Sequence, residues 1–159
     1  MADPRFTLLF VCTGNICRSP TAHGMMRRRL RDAGLDLQAI ADSAGTHGYH
    51  VGDPPDPRSV AAARARGLDL SDLRARRVSQ ADFRKPGLIL AMDRGHQRIL
   101  RGLMPPGSAA ELRLFLEFAP GLGHDVPDPY YGGPDGFDEV LDLVEAGTDG
   151  LIAHLRQRL

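Results

Sequence analysis

The chain has 159 residues, 42% of them hydrophobic, which suits one domain with a single packed core. Twenty Lys and Arg balance twenty Asp and Glu, so no whole-molecule field draws the protein to nucleic acid or to an anionic membrane, and any anion site has to be built locally. Two cysteines, Cys12 and Cys17, stand five positions apart with no others in the chain; this is neither a disulfide framework nor a four-ligand zinc set, and it points to thiol chemistry.

From the N-terminus, Phe6 to Val11 is a short, almost continuous apolar run. It lacks the basic flank and length of a signal peptide and is too short to span a bilayer, so the reading is a soluble, cytoplasmic protein whose first element is a strand buried on both faces. The loop Cys12 to Ser19 follows directly. Ser19 is the expected N-cap and Pro20 the first residue of a helix in which Ala22, Met25, Met26, Leu30 and Ala33 recur at helical spacing until Gly34. A weaker strand is predicted over Gln38 to Ser43, then an ordered surface loop from Gly45 to Pro57. Helix resumes near Arg58 and ends at Gly67. Leu88 to Met92 is a second clear buried strand, followed by a helix through Ile99 and Leu100, and Leu112 to Phe115 is a fourth, shorter strand. After a loop from Pro120 to Pro134, Val140, Leu141, Val144, Leu151, Ile152 and Leu155 mark a helical face from Asp138 to Leu159, in which Gly147 and Gly150 offer a break. Strands alternating with helices imply a parallel sheet covered on both sides, with the ligand at the carboxyl ends of its strands.

The loop between the first strand and the first helix carries the chemistry. Backbone N–H groups turned inward at the positive end of a helix bind a tetrahedral anion, and Arg18 adds a planar guanidinium able to hold two phosphate oxygens. Gly14 is read as the residue that permits the tight turn and Asn15 as the one that holds it through its side chain. The same donors, with the Ser19 hydroxyl, favour a thiolate at Cys12, which can attack phosphorus in line and form a phosphocysteine. Asp128, in Asp128-Pro129-Tyr130-Tyr131, is the candidate acid for the leaving oxygen and later the base for water.

At these residues the chain resembles the low-molecular-weight protein tyrosine phosphatases, over essentially its whole length from Phe6 to about Leu155. The resemblance rests on VCTGNICRSP, DSAGT at Asp42 to Thr46, HVGDPPDPR ending at Arg58, LAMD at Leu90 to Asp93, and DPYYGG at Asp128 to Gly133, in that order. It implies a three-layer α/β/α sandwich with a four-stranded parallel sheet, no metal and no cofactor. It also implies that Cys12, Arg18 and Asp128 are catalytic, and that Thr13, Gly14, Asn15, Ile16, Cys17 and Ser19 surround the phosphate. Asn15, Ser19 and Ser43 would brace the loop, and Tyr49, Tyr130 and Tyr131 would wall the mouth around an aromatic substrate ring. Tyrosine-phosphorylated proteins are then the partners, inorganic phosphate the product and inhibitor, and a monomer the expected state.

The sequence departs from the family where many members carry a histidine in the stretch Ser71-Asp72-Leu73-Arg74; here the residue is Leu73, which touches the bracing network. Relatives acting on phosphoarginine have threonine where this chain has Ile16 and lack the paired tyrosines, so both features favour phosphotyrosine. The rival enzyme reading, an arsenate-reductase-like thiol enzyme, needs further cysteines after Cys17, and a catalytically silent phosphotyrosine-binding module would not need Cys12, Arg18 and Asp128 together. Cys17 either packs or traps oxidised Cys12 as a reversible disulfide. The three tyrosines either wall a site or simply pack. Arg27, Arg28, Arg29 and Arg31 read as a solvated helix face, and His47 and His50 as ordinary loop residues.

Overall fold

The computed structural model describes residues 3–133 and 135–159; Pro134, the end of the long loop read from the sequence, lies outside them. Four strands, β1 (Phe6–Cys12), β2 (Ala39–Gly45), β3 (Gly87–Ala91) and β4 (Ala110–Leu114), form one parallel sheet in the order β2-β1-β3-β4. Four α-helices accompany them: α1 (Arg18–Asp32), α2 (Pro57–Ala65), α3 (Arg94–Leu103) and α4 (Asp135–Arg158). Short 3-10 turns lie at Gln80–Arg84 and Phe115–Phe118.

The alternation of side chains along a strand explains why the sheet is covered on both faces. Leu8, Phe10 and Cys12 of β1, with Leu88 and Leu90 of β3, enter the larger core with Met25, Met26 and Leu30 of α1 and Val140, Leu141 and Leu151 of α4. Their alternates Leu9, Val11, Ile89 and Ala91 enter a second core with Leu100 of α3 and Phe83. The result is a three-layer α/β/α sandwich. Each fully buried Leu or Phe contributes about 2 kcal/mol through apolar burial. Among the described residues no helix is long and apolar enough to cross a membrane.

Several local expectations are corrected. Helix α1 starts at Arg18, with Cys17 rather than Ser19 at its N-cap and no side-chain cap. The Ser19 hydroxyl is committed elsewhere, and the first turn holds no acidic residue, so the positive end of the helix stays available to an anion. The fourth strand runs Ala110–Leu114, and Phe115 turns into the core at the start of a 3-10 turn. The arginines of α1 are not simply solvated: Arg27 pairs with Asp72 at 2.7 Å and Arg29 with Asp149 at 3.2 Å, which ties the helix to its neighbours.

Helix α4 passes through Gly147 and Gly150 unbroken. Both are close-approach positions: a Cβ at 147 would overlap the Phe115 ring, and one at 150 would overlap the Phe118 carbonyl oxygen. An ordinary helical Gly→Ala change stabilises by about 1 kcal/mol. Here the sign should reverse. Gly147→Ala and Gly150→Ala are each expected to destabilise the fold by about 2 kcal/mol through overpacking, read as a lowered urea midpoint with unchanged slope; a rise in midpoint would refute the packing account.

Candidate active site

β1 ends at Cys12, and the chain from Thr13 to Cys17 turns back at the carboxyl edge of the sheet before entering α1. The loop is anchored from outside. Thr46 N–H donates to the Cys12 carbonyl at 2.9 Å, His47 N–H to that of Thr13 at 3.0 Å, and Asp56 N–H to that of Ile16 at 2.8 Å. These bonds use the carbonyls of the loop and fix its backbone from three outside positions.

Asn15, not Gly14, carries the left-handed turn: with φ 59° it is the sole non-glycine residue of positive φ among the described residues. Asparagine tolerates this region when its side chain finds local partners, and Asn15 Nδ2 donates to Ser19 Oγ at 2.7 Å while its Oδ1 accepts from Arg76 N–H at 3.0 Å. Gly14 is required for another reason: a Cβ there would lie 2.8 Å from the His50 ring.

Ser19 Oγ lies 3.0 Å from Cys12 Sγ and 3.5 Å from the Ala44 carbonyl oxygen. Ser19 Oγ accepts from Asn15 Nδ2 and is within hydrogen-bond reach of both the Cys12 sulfur and the Ala44 carbonyl oxygen, so its hydroxyl is placed where it can serve a thiolate at Cys12. Cys12 and Cys17 are both free and buried. Burial pushes the Cys17 thiol up to about 12, so it stays protonated where a reactive thiolate would be needed.

Arg18 is a buried guanidinium, its side chain 5% exposed. Its Nη1 donates to Asp93 Oδ2 and to the Val126 carbonyl oxygen, each at 2.9 Å. Val126 is placed by its own N–H, which donates to the Met92 carbonyl at 2.8 Å just past β3. Asp93 does double duty as the N-cap of α3, its Oδ1 accepting from His96 N–H at 2.8 Å. Nη2 faces Asp128 Oδ2 at 3.6 Å.

Asp128 is held in a turn by Tyr130 N–H, which donates to its Oδ1 at 3.0 Å, and 42% of its side chain is exposed. One pocket is lined by Cys12, Thr13, Gly14, Ile16, Cys17, Arg18, Tyr49, His50, Asp128, Tyr130 and Tyr131. Asn15, Ser19 and Ser43 are behind the loop rather than in the pocket. Tyr131 and Tyr49 are exposed at the mouth, and Tyr130 stands edge-on to Tyr131 with centroids 4.9 Å apart. Tyr49 stacks on His47, centroids 5.0 Å apart.

Three features were not legible as site residues. His50, taken for an ordinary loop residue, lines the pocket. Arg58 links loops that are distant in sequence: it pairs with the buried Asp56 at 2.9 Å, donates to the Tyr130 carbonyl at 3.2 Å and lies over the Tyr130 and Phe137 rings. His23 fixes Ser43, its Nδ1 2.9 Å from Ser43 Oγ. Ser43 thus reaches an imidazole on α1 instead of bracing the loop directly, and Leu73 is a buried core residue. The signal for Arg58 was its place in the DPPDPR motif; nothing in the local pattern marked His23.

The sequence and the fold match those of known proteins. The sequence profile of the family described as low molecular weight phosphotyrosine protein phosphatase matches residues 7–159. A relative from Streptomyces coelicolor, named a low molecular weight protein-tyrosine-phosphatase, is 47% identical over 158 residues, 97% of this chain and 96% of that one. The crystal structure of a protein tyrosine phosphatase from Entamoeba histolytica superposes with a TM-score of 0.91 at 37% identity, covering 96% of this chain and 97% of that chain. A structure described as a drosophila arginine phosphatase superposes with a TM-score of 0.87 at 25% identity, covering 93% and 96% of the two chains. With a profile match over nearly its full length, relatives of this identity and the same fold, the chain belongs to the low molecular weight phosphotyrosine protein phosphatase family.

Proposed function

We propose that the protein hydrolyses phosphotyrosine in proteins, and small aryl phosphates, through a phosphocysteine formed on Cys12. The observation that supports this best is the convergence on one pocket of the Cys12 sulfur, the Arg18 guanidinium and the Asp128 carboxyl, with tyrosines at its mouth. In the first step the thiolate attacks phosphorus, the S–P bond forms as the P–O bond to the aryl group breaks, and protonated Asp128 gives its proton to the leaving oxygen. Arg18 and the inward amides hold the equatorial oxygens as charge redistributes. In the second step Asp128 takes a proton from water, the water oxygen bonds to phosphorus, and the S–P bond breaks to release inorganic phosphate. The Ser19 hydroxyl, 3.0 Å from Sγ, stabilises the departing thiolate.

The mouth supports an aryl ester. Tyr49, Tyr130 and Tyr131 provide apolar faces for a phenyl ring, each aromatic contact contributing about 1 kcal/mol beyond area burial. Ile16 places an aliphatic side chain in the pocket lining, which itself offers a guanidine no hydrogen bond and suits an apolar ring.

Cys12→Ser should abolish turnover of nitrophenyl phosphate while retaining inorganic phosphate binding by calorimetry; retained turnover would remove the nucleophile assignment. Asp128→Ala should slow phenyl phosphate about 100-fold or more and nitrophenyl phosphate much less, because a good leaving group needs no proton. Equal losses on the two esters would rule out the acid role. Phosphotyrosine peptides should be cleaved in preference to phosphoserine and phosphoarginine peptides under the same conditions, and a faster rate on phosphoarginine would reverse the substrate assignment.

A further inference from the structure

His96 has no part in the chemistry above, yet it is 3% exposed and sits directly behind the phosphate-binding loop. Its Nε2 lies 2.8 Å from Thr13 Oγ1 and 3.4 Å from Arg18 Nη2. Its Nδ1 lies 3.1 Å from Asp93 Oδ1, though not aligned for a linear hydrogen bond. The surroundings determine the tautomer. A guanidinium can only donate, so Nε2 facing Arg18 must present its lone pair; a carboxylate can only accept, so Nδ1 facing Asp93 must carry the proton. Thr13 Oγ1 then donates to Nε2.

We propose that His96 is a positioning residue for phosphoryl recognition, its Nε2 lone pair fixing the Thr13 hydroxyl and the inner edge of the Arg18 guanidinium so that the outer edge meets the phosphoryl oxygens. Asp93 Oδ2 and the Val126 carbonyl hold Nη1, and His96 completes that acceptor set on Nη2. Without the lone pair, the guanidinium loses an acceptor on its buried side and Thr13 loses its partner. Phosphate affinity and rate should fall together, because both depend on the same preset edge.

The imidazole is neutral at neutral pH. Burial, then the adjacent Arg18 charge, lower His96 to about 4, against raising contributions from Asp93 and Asp128 and a smaller lowering one from His47. A protonated His96 would offer a donor to a donor.

The inference rests on the phosphatase reading, and the test separates the two. Three variants, His96→Gln, His96→Asn and His96→Leu, are compared with wild type for kcat/KM on nitrophenyl phosphate, Ki for inorganic phosphate, and Tm. Glutamine places an acceptor near the Nε2 position, whereas asparagine is too short and leucine has none. The Asn and Leu variants are expected to lose about 10- to 100-fold in kcat/KM and to show a comparably raised Ki, with Gln recovering most of both. Thr13→Val should cost about 10-fold alone and little more in the His96→Asn background, since the two share one hydrogen bond. If wild type neither turns over the ester nor binds phosphate, the phosphatase reading fails. If wild type is active and all three variants keep its Ki, or if Gln falls with the others in proportion to a lowered Tm, the positioning role is overturned.

Stability offers an independent readout. A buried imidazole whose folded pKa is lowered from 6.5 to about 4 takes up a proton more readily when unfolded. Its contribution is full above pH 6.5 and is lost as pH falls towards 4. Urea midpoints should therefore decline between those values, His23, which burial lowers likewise to about 4, adding to the same decline; His96→Gln should flatten the slope in part, and an unchanged slope would contradict a neutral buried His96.

Discussion

The Arg18 guanidinium sits at the carboxyl edge of the sheet with 5% of its side chain in contact with solvent. Removing such a group from water costs several kcal/mol unless oxygens replace the hydration shell. The replacements come from parts of the chain far from Arg18 in sequence: the Asp93 carboxylate just beyond β3 and the Val126 carbonyl beyond β4. The parallel sheet makes this convergence available, because its strands all end at the same edge. Much of what surrounds the thiol exists to keep one guanidinium compensated and correctly faced.

The loop itself is shaped by a second constraint. A left-handed non-glycine residue costs about 1 kcal/mol, and Asn15 offsets it by bonding in two directions, to Ser19 within the loop and to Arg76 N–H outside it. Arg76 in turn joins Asp42, next to Ser43, with the buried Asp82, at 2.8 and 3.0 Å. The left-handed turn of the loop is thus secured from β2 and from the segment after α2.

The major elements and the loop were readable from the sequence because their signals are local. Phe6 to Val11 is apolar at nearly every position, as a doubly covered strand must be, and Cys12 to Ser19 concentrates glycine, arginine and thiol in eight residues. What escaped depended on contacts across the fold. Ser19 has the chemistry of an N-cap, but its hydroxyl lies against the Cys12 sulfur and accepts from Asn15 instead. Gly147 and Gly150 look like helix breakers until Phe115 and Phe118 are seen packed against them. Asn15 holds the loop through its side chain as expected and also takes the left-handed turn expected of Gly14, since a φ angle and a ring approaching from residue 50 are not written in the neighbouring letters. His96, three positions past an acidic cap, was invisible as part of the site for the same reason: its meaning lies in Thr13 and Arg18.

The strand order has a consequence for the growing chain. β1 is made first but lies inside the sheet, between β2 and β3, and all its pairings are parallel, so each needs a crossover before it can form. Cys12 therefore leaves the ribosome long before Asp93, Val126 and Asp128 are synthesised to complete its surroundings. Until then Cys12 has neither the compensated guanidinium nor the Asp128 carboxyl beside it, and the pocket is completed late, together with the long-range contacts that make such topologies slow to fold.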